Sequence, residues 1–488
     1  MIGIAHLGGP VACLGLALLL VARSRRDRLA GLGFAALGAC LLCAALAPNK
    51  PEEVAGGAIA GLLAAAVLAV VFRRVPWLLP LAALACVPVR VGALGHQLLG
   101  PLYVVILGAA VLLAWELVRG NGRSRELGPA AWPLAAYIAW TGLSLAWSQD
   151  VHEGAVELLA FYVPFAILAL ALARLPWSEL GLRVLYAELV VMALAFAAVG
   201  FYQYDTRNVF ENPKVINSNA YAPFFRVNSV FWDPSVYGRF LVVAMVPSVV
   251  LIVRGRRGRL AWAVAAAVVV TWLGLLISFS QSSFAALLVA VVGIAAVAWR
   301  WRALAAVALA AVVLAGIAVS APQVRRSIQH HTTSGLNSAT SGRASLVANG
   351  IRIAAAHPAL GVGVGGFKHA YAARMHLKGK EPKTAASHDT PVTVAAETGV
   401  IGLGLATWAI LALLLPGFRR VDRSFAGMTS LAAVAALAAI LCHALFYNDF
   451  FEDPTTWALL GLIVLAAPRA APAGGPPPVI EEQEAVPV

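Results

Sequence analysis

Apolar runs of about 20 residues recur from one end of the chain to the other, the length at which a helix crosses roughly 30 Å of hydrocarbon. No water is available at that depth, so each segment must pair its own backbone groups, and helix is the form such runs take. The pattern predicts spans near 4–22, 29–47, 54–72, 75–92, 98–118, 131–147, 154–173, 180–202, 234–252, 260–277, 283–299, 302–320, 391–415, 425–447 and 455–467. The expected fold is therefore all-α and polytopic, an integral membrane protein with about fifteen transmembrane helices.

Charge in the short connections adds sidedness. The loops 23–28, 72–76, 120–128, 174–183, 254–259, 299–302 and 418–423 are basic and alternate with loops poor in Lys and Arg, at 48–53, 148–153, 278–283 and 447–454. Basic loops stay in the cytoplasm. The N-terminus is thus expected outside and the C-terminus inside, in the cell inner (plasma) membrane. Two long loops, 203–233 and 321–390, both fall on the external side, and the second holds nine Lys or Arg against Glu381 and Asp389. Long loops escape the positive-inside rule. Their charge suits a solvated or headgroup-facing loop, or a site for a polyanion such as a pyrophosphate.

Composition agrees with this picture. Of 488 residues, 61% are hydrophobic and 12% charged, against about 25% charged in soluble domains. The five cysteines lie in or beside apolar runs and are expected as small buried hydrophobes. The first run starts almost at Met1 with no basic stretch before it, and is expected to be a retained helix. The segment from Arg469, rich in Pro, Gly and Glu, is expected to be a disordered cytoplasmic tail.

Candidate chemistry gathers on the external loops. Residues 340–358 predict a helix capped by Thr340 or Ser341 and stopped by Pro358. On it Arg343 shares the apolar face of Leu346, Val347, Gly350 and Ala354, while Arg352 lies about half a turn away beside Ser345, Ala348 and Asn349. A guanidinium on an apolar face needs an anionic partner. The turn at 357–371, HPALGVGVGGFKHAY, has glycines that suit an anion cradle and carries Lys368. Thr390 before Pro391 predicts a helix start, with His388 just outside it. The positive helix end disfavours imidazolium there, leaving the neutral form that a general base requires. Asp233 and Pro234 predict another helix start, flanked by Arg226 and Arg239; Arg239 sits inside the span, as a substrate contact or snorkelling outward. The polar turn 278–283 offers Gln281 and Ser283 to a sugar or phosphate, or merely ends two helices.

The order of these motifs resembles the O-antigen ligase and polymerase family. The sequence has a polar S-F-S turn, then a large loop with S-G-R. H-P-x-x-G-x-G-x-G-x-F follows, and then a His before a span carrying A-x-E-x-G-x-x-G. The resemblance covers roughly residues 220–415. It implies a membrane glycosyltransferase of the GT-C type that moves a glycan from undecaprenyl pyrophosphate to an acceptor. By that resemblance Arg343 is the large-loop arginine on the pyrophosphate, His388 the base that activates the acceptor hydroxyl, and Arg226 the arginine before the following span. Gln281 stands where the family's turn carries a further arginine, so leaving-group stabilisation calls on Arg226 or Arg239. Asp389 stands where the family often has Asn.

The function expected is therefore ligase- or polymerase-like glycan transfer in cell-surface polysaccharide biosynthesis, such as that of lipopolysaccharide. The catalytic candidates are His388 and Arg343. The substrate contacts expected are Arg226, Arg239, Gln281, Ser283, Arg352 and Lys368. No cofactor and no metal is expected, although Asp449, Glu452 and Asp453 form the one acidic patch where a divalent ion would fit. The expected partners are a polyprenyl-pyrophosphate-linked glycan donor, a lipid or glycan acceptor and membrane lipids, with no nucleic acid. The expected divisions are N-terminal helices over 1–202, a catalytic region over 203–415, C-terminal helices over 416–467 and a tail over 468–488. The rival is a transporter or flippase of lipid-linked sugars, which Glu188 and Glu397, the acids inside spans, would serve.

Overall fold

The computed structural model of the chain describes residues 2–46, 51–94, 96–120, 126–210, 212–221, 224–254, 258–300, 302, 305, 343–377, 387–419 and 424–463. The expected span 302–320 apart from residues 302 and 305, the caps Thr340 and Ser341, and the tail 468–488 lie outside these. The first half comprises α1 (Ile2–Val21), α2 (Arg25–Leu46), α3 (Pro51–Arg74), α4 (Leu78–Cys86), a hairpin of β1 (Val91–Ala93) and β2 (His96–Leu98), α5 (Gly100–Val118), α6 (Ala131–Ser144), α7 (Val151–Glu157), α8 (Val163–Arg174) and α9 (Glu179–Thr206). The second half comprises α10 (Pro213–Tyr221), α11 (Pro234–Arg254), α12 (Arg259–Ser278), α13 (Gln281–Trp299), α14 (Arg343–Ala356), α15 (Phe367–Arg374), α16 (Thr390–Arg419), α17 (Phe425–Ala444) and α18 (Pro454–Ile463). The protein is an all-α polytopic integral membrane protein.

Among the described residues, ten helices are long and apolar enough to cross a bilayer, so the fifteen expected spans are not matched one for one. The clearest departure is 75–92, where the helix stops after nine residues at Cys86 and the chain turns into the hairpin. Pro88 has no N–H to continue a helix, and Arg90 is costly in hydrocarbon. The antiparallel strands pair Val91 with Leu98 and Ala93 with His96. At the chain's far end, the described part of α18 is ten residues long.

α7 and α8 form one continuous helix through a π-helical turn at Leu158–Tyr162. It is the centre of the bundle: 89% of its apolar window is buried, against 17% for α9 at the periphery. The π turn shifts Phe161 and Tyr162 off the regular helical track, and the Tyr162 hydroxyl meets that of Tyr137 at 3.0 Å.

The connections sort to two ends of the bundle. At one end Arg28 pairs with Glu126 at 2.8 Å, and Arg174 with Glu116 at 2.8 Å, joining three basic loops. At the other end the loops poor in basic residues meet one another and the two long loops. Gln149 N–H donates to the Val362 carbonyl at 3.0 Å and Val227 N–H to that of Ile277 at 3.2 Å. Thr390 Oγ1 donates to the Tyr447 carbonyl at 3.4 Å.

Candidate active site

Two sequence motifs build one scaffold at this end. α16 is kinked at Gly399, where φ is 69°, so carbonyls upstream lose their helical partners. The glycine turn supplies replacements. Val362 N–H donates to the Ala396 carbonyl at 2.9 Å and Gly363 N–H to that of Glu397 at 2.8 Å, while Val400 N–H donates to Pro358 at 2.8 Å. A Cβ on Gly399 would sit 2.0 Å from the Ala359 carbonyl oxygen, so only glycine fits. The turn is an anion cradle of another kind than expected: Phe367 N–H donates to the carboxylate of Glu397 itself, at 3.3 Å. That buried acid is thereby engaged in holding the turn.

α14 lies directly on the start of α16, with Gly350 so close that a Cβ there would come within 2.6 Å of Val392. Its buried face is Leu346, Asn349, Gly350 and Ile353. Arg343 is the first residue of the helix and is exposed, because the packed face starts a turn later at Leu346. It is thus not sunk into the apolar face as expected. Asn349, expected beside Arg352, is buried instead, and Arg352 is exposed on the other side.

The start of α16 also differs from expectation in its cap. Asp389, not Thr390, closes it: its Oδ1 accepts the Val392 N–H at 2.9 Å, the usual reach of an N-cap to the third helical residue. Asn does the same work, which accounts for Asp389 at a place where the resembled family often carries Asn. His388, just before the cap, takes a left-handed backbone, with φ of 61°. Its ring stands edge-on to Tyr447, with centroids 6.1 Å apart.

His388 and Tyr447 open into a cavity of about 470 Å³. Its polar lining includes Arg90, His96, Lys214, Arg239, Asp449, Glu452 and Asp453, and its apolar lining Leu84, Val87, Leu189, Phe240 and Val243. Val243 is nine residues into α11, about 14 Å at 1.5 Å per residue, so the cavity runs deep between the helices. Burial and the positive charges of Arg343 and Lys214 push His388 below the ordinary imidazole range, with Asp233 opposing. Tyr447 is raised well above the phenol range by burial and by Asp233 and Asp449, and stays protonated. Burial, Asp449 and Glu397 push Glu452 up to about 8. Beside the Arg239–Asp449–Asp453 group, the cavity is lined by two further cationic side chains, Arg90 and Lys214.

Arg226 is half-buried; its Nε donates to the Ser278 carbonyl at 3.2 Å, and Asn219 grips its backbone at 2.9 and 3.0 Å. Burial lowers it, with Asp233 opposing and the charge of Arg343 adding to the lowering. The charge of Arg343 is thus felt at both Arg226 and His388.

The other expected contacts do not join them as free groups. Arg239 is buried and neither snorkels nor stands free: it pairs with Asp449, and with Asp453 at 3.0 Å. The same pairing engages two of the three acids considered for a metal ion, and among the described residues no cluster suits a metal. Ser283 is buried, bonded to Ser280 Oγ at 2.7 Å and donating to the Ser235 carbonyl at 3.3 Å. Gln281 is exposed on the first turn of α13. Lys368 lies near the pair His96–Glu153, whose side chains meet at 3.2 Å, and its charge reaches His96.

Several cavity residues were not anticipated, among them Arg90, His96, Lys214 and Tyr447. Arg90 carried a usable signal, a lone arginine inside an expected span. Lys214 and Tyr447 carried none, since loop residues of these types are common.

Residues 266–407 match a family model described as O-antigen ligase. The match takes in the S-F-S turn, α14, the glycine turn and the kinked part of α16. No curated protein matches the chain. This stretch is thus similar to an O-antigen ligase domain, which supports a part in surface-polysaccharide assembly.

Proposed function

With that similarity as premise, we propose that the chain transfers a glycan from a polyprenyl-pyrophosphate carrier to an acceptor hydroxyl at the external face of the inner (plasma) membrane. Its N-terminus lies outside and its C-terminus in the cytoplasm. The catalytic region spans 203–415, between helical regions 1–202 and 416–467. The observation that carries this reading is the His388 cavity, lined by Arg90 and Lys214 together with apolar residues that reach nine positions into α11. That is the form of a diphosphate joined to a long hydrocarbon chain.

The acceptor oxygen attacks the anomeric carbon, and the bond from that carbon to the diphosphate oxygen breaks. His388, neutral through burial and Arg343, takes the acceptor proton. Attack from the face opposite the leaving group inverts the centre. The electron pair leaves on the diphosphate, where Arg343 and Arg226 neutralise it. Lys214 and Arg90 supply the further cation that Gln281 does not, a part that Arg239, bound to two carboxylates, is poorly placed to play. No metal is required, because the guanidinium groups do the cation's work. The transport rival loses support from Glu397, which is held by backbone N–H groups of the glycine turn.

The test is complementation. Cells lacking the gene receive wild type, Arg343→Ala or His388→Ala, and surface and lipid-linked glycans are resolved by size. Both variants should accumulate at normal level and fail. Loss of long chains with single repeat units still on their acceptor identifies a polymerase; finished chains left on the carrier identify a ligase. Normal glycans with His388→Ala would rule out transfer by this base.

A further inference from the structure

α10 separates two cavities. It gives Lys214 to the His388 cavity and Asn219 to a second one of about 750 Å³, well inside the roughly 300–1,000 Å³ of ligand pockets. The walls that matter here are Tyr204, Phe224 and Phe225, with Arg207 and Asn208 at the rim. Arg207 ends α9 in a left-handed conformation, φ 53°. Its guanidinium thereby folds back over Tyr204, 4.4 Å from the ring centroid, and toward Phe225, at 5.3 Å. Among the described residues no carboxylate pairs with it, and both Arg207 and Asn208 are exposed.

This second cavity is fixed to the first. Both polar atoms of the Asn219 amide grip the backbone of Arg226, at 2.9 and 3.0 Å. Phe224 stacks on Phe279 of the S-F-S turn, with centroids 4.8 Å apart. A ligand in it therefore sits at a set distance from the transfer centre.

Aromatic faces beside planar N–H donors are what a pyranose ring needs: its C–H face lies on the ring, and its hydroxyls reach amide and guanidinium. A hydrocarbon chain would have no use for the donors at the rim. We propose that this cavity is a sugar-binding subsite, holding a glycan unit beyond the bond being made. The inference rests on the transfer reading above. The sugar comes from the donor or the acceptor chain, and the chemistry of recognition is the same for both.

The test uses the full-length protein with Tyr204→Ala/Arg207→Asn, and with Arg207→Asn alone in case the pair lowers abundance. Asn is chosen because it tolerates the left-handed helix end. The probe is a set of short oligosaccharides released from the cell's own surface polysaccharide, followed by saturation-transfer NMR. The variants should bind them at least tenfold more weakly than wild type, whereas His388→Ala should bind them normally and fail to transfer. In the reconstituted reaction, a KM raised for the acceptor alone assigns the subsite to the acceptor chain; one raised for the donor alone assigns it to the donor. Wild-type binding and transfer by the subsite variants, with His388→Ala inactive, would overturn the subsite and leave the transfer reading standing. Full activity of His388→Ala would remove both.

Discussion

Arg239→Leu should harm the protein through its fold before its chemistry. Arg239 is 5% exposed, and its guanidinium holds Asp449 and Asp453 together, the latter at 3.0 Å. Leucine would leave two carboxylates facing each other with no cation between them. Breaking a buried ion pair from one side costs about 3–5 kcal/mol, a large share of the roughly 5–15 kcal/mol that holds a typical domain. Membrane abundance and the unfolding midpoint in detergent should both drop sharply. The triple variant Arg239→Leu/Asp449→Asn/Asp453→Asn removes all three charges. Asp453 also caps α18, accepting the Thr455 N–H at 2.8 Å, and Asn retains that cap. The triple should therefore recover most of the lost midpoint, since exchanging a whole buried ionic group for neutral residues is often harmless. Fluorescence-detected thermal unfolding of the three proteins decides it. If Arg239→Leu alone unfolds like wild type, the pairing argument is wrong. If the triple folds but does not transfer, Arg239 returns to the donor site.

Other outcomes follow from the same geometry. In the proposed transfer, with the neutral His388 ring as base, activity should rise as pH climbs through the His388 pKa, which burial and Arg343 hold below the ordinary value of about 6.5, and should level off above it. Arg343→Ala removes a nearby positive charge, so the residual activity's rising limb should move to higher pH; an unmoved limb would contradict their proximity. His96 is raised by its bond to Glu153, so its contribution to holding the hairpin is complete below the ordinary imidazole pKa and is lost as pH rises through the raised value. Hydrogen exchange of residues 91–98 should quicken across that interval, and a flat response counts against the pair. Gly399→Ala should destabilise by more than about 1 kcal/mol, as a side chain forced into a positive-φ position does; an unchanged melting midpoint would show that the kink relaxes freely.

Sequence alone was a good guide where one segment's physics decides the outcome. The run expected at 234–252 is α11, at Pro234–Arg254, and Asp233 caps it through the Ser235 N–H at 2.6 Å, as its place before Pro234 suggests. Twenty apolar residues have nowhere to go but across the bilayer. It was a poor guide where partners are distant. The glycines at 361–365 announce close approach, but nothing near them says that the approach is to a kinked helix more than 30 residues on. Arg239 and Asp449 are 210 residues apart, so an arginine inside a span looked like a free functional group. The 75–92 segment failed for another reason: its mean apolarity outweighed Pro88 and Arg90, the two residues that bend it into the cavity wall. Of the residues that line the cavity, His388 stood out in the sequence as a histidine just outside a helix start; Lys214 and Tyr447 acquire meaning only from what surrounds them.

The exchange of hydrogen bonds between the glycine turn and the kink at Gly399 also bears on how such chains can be recombined. Each motif leaves backbone groups open that the other closes, and α14, with Arg343, rests on the same helix start that presents His388. Residues 343–402 therefore travel together, and with them the segment 144–149 that the turn also binds, through Gln149 N–H on the Val362 carbonyl and Ser148 Oγ on that of Val364. A hybrid that exchanges both should assemble, whereas one that separates the turn from the kink would bring together halves shaped on different partners.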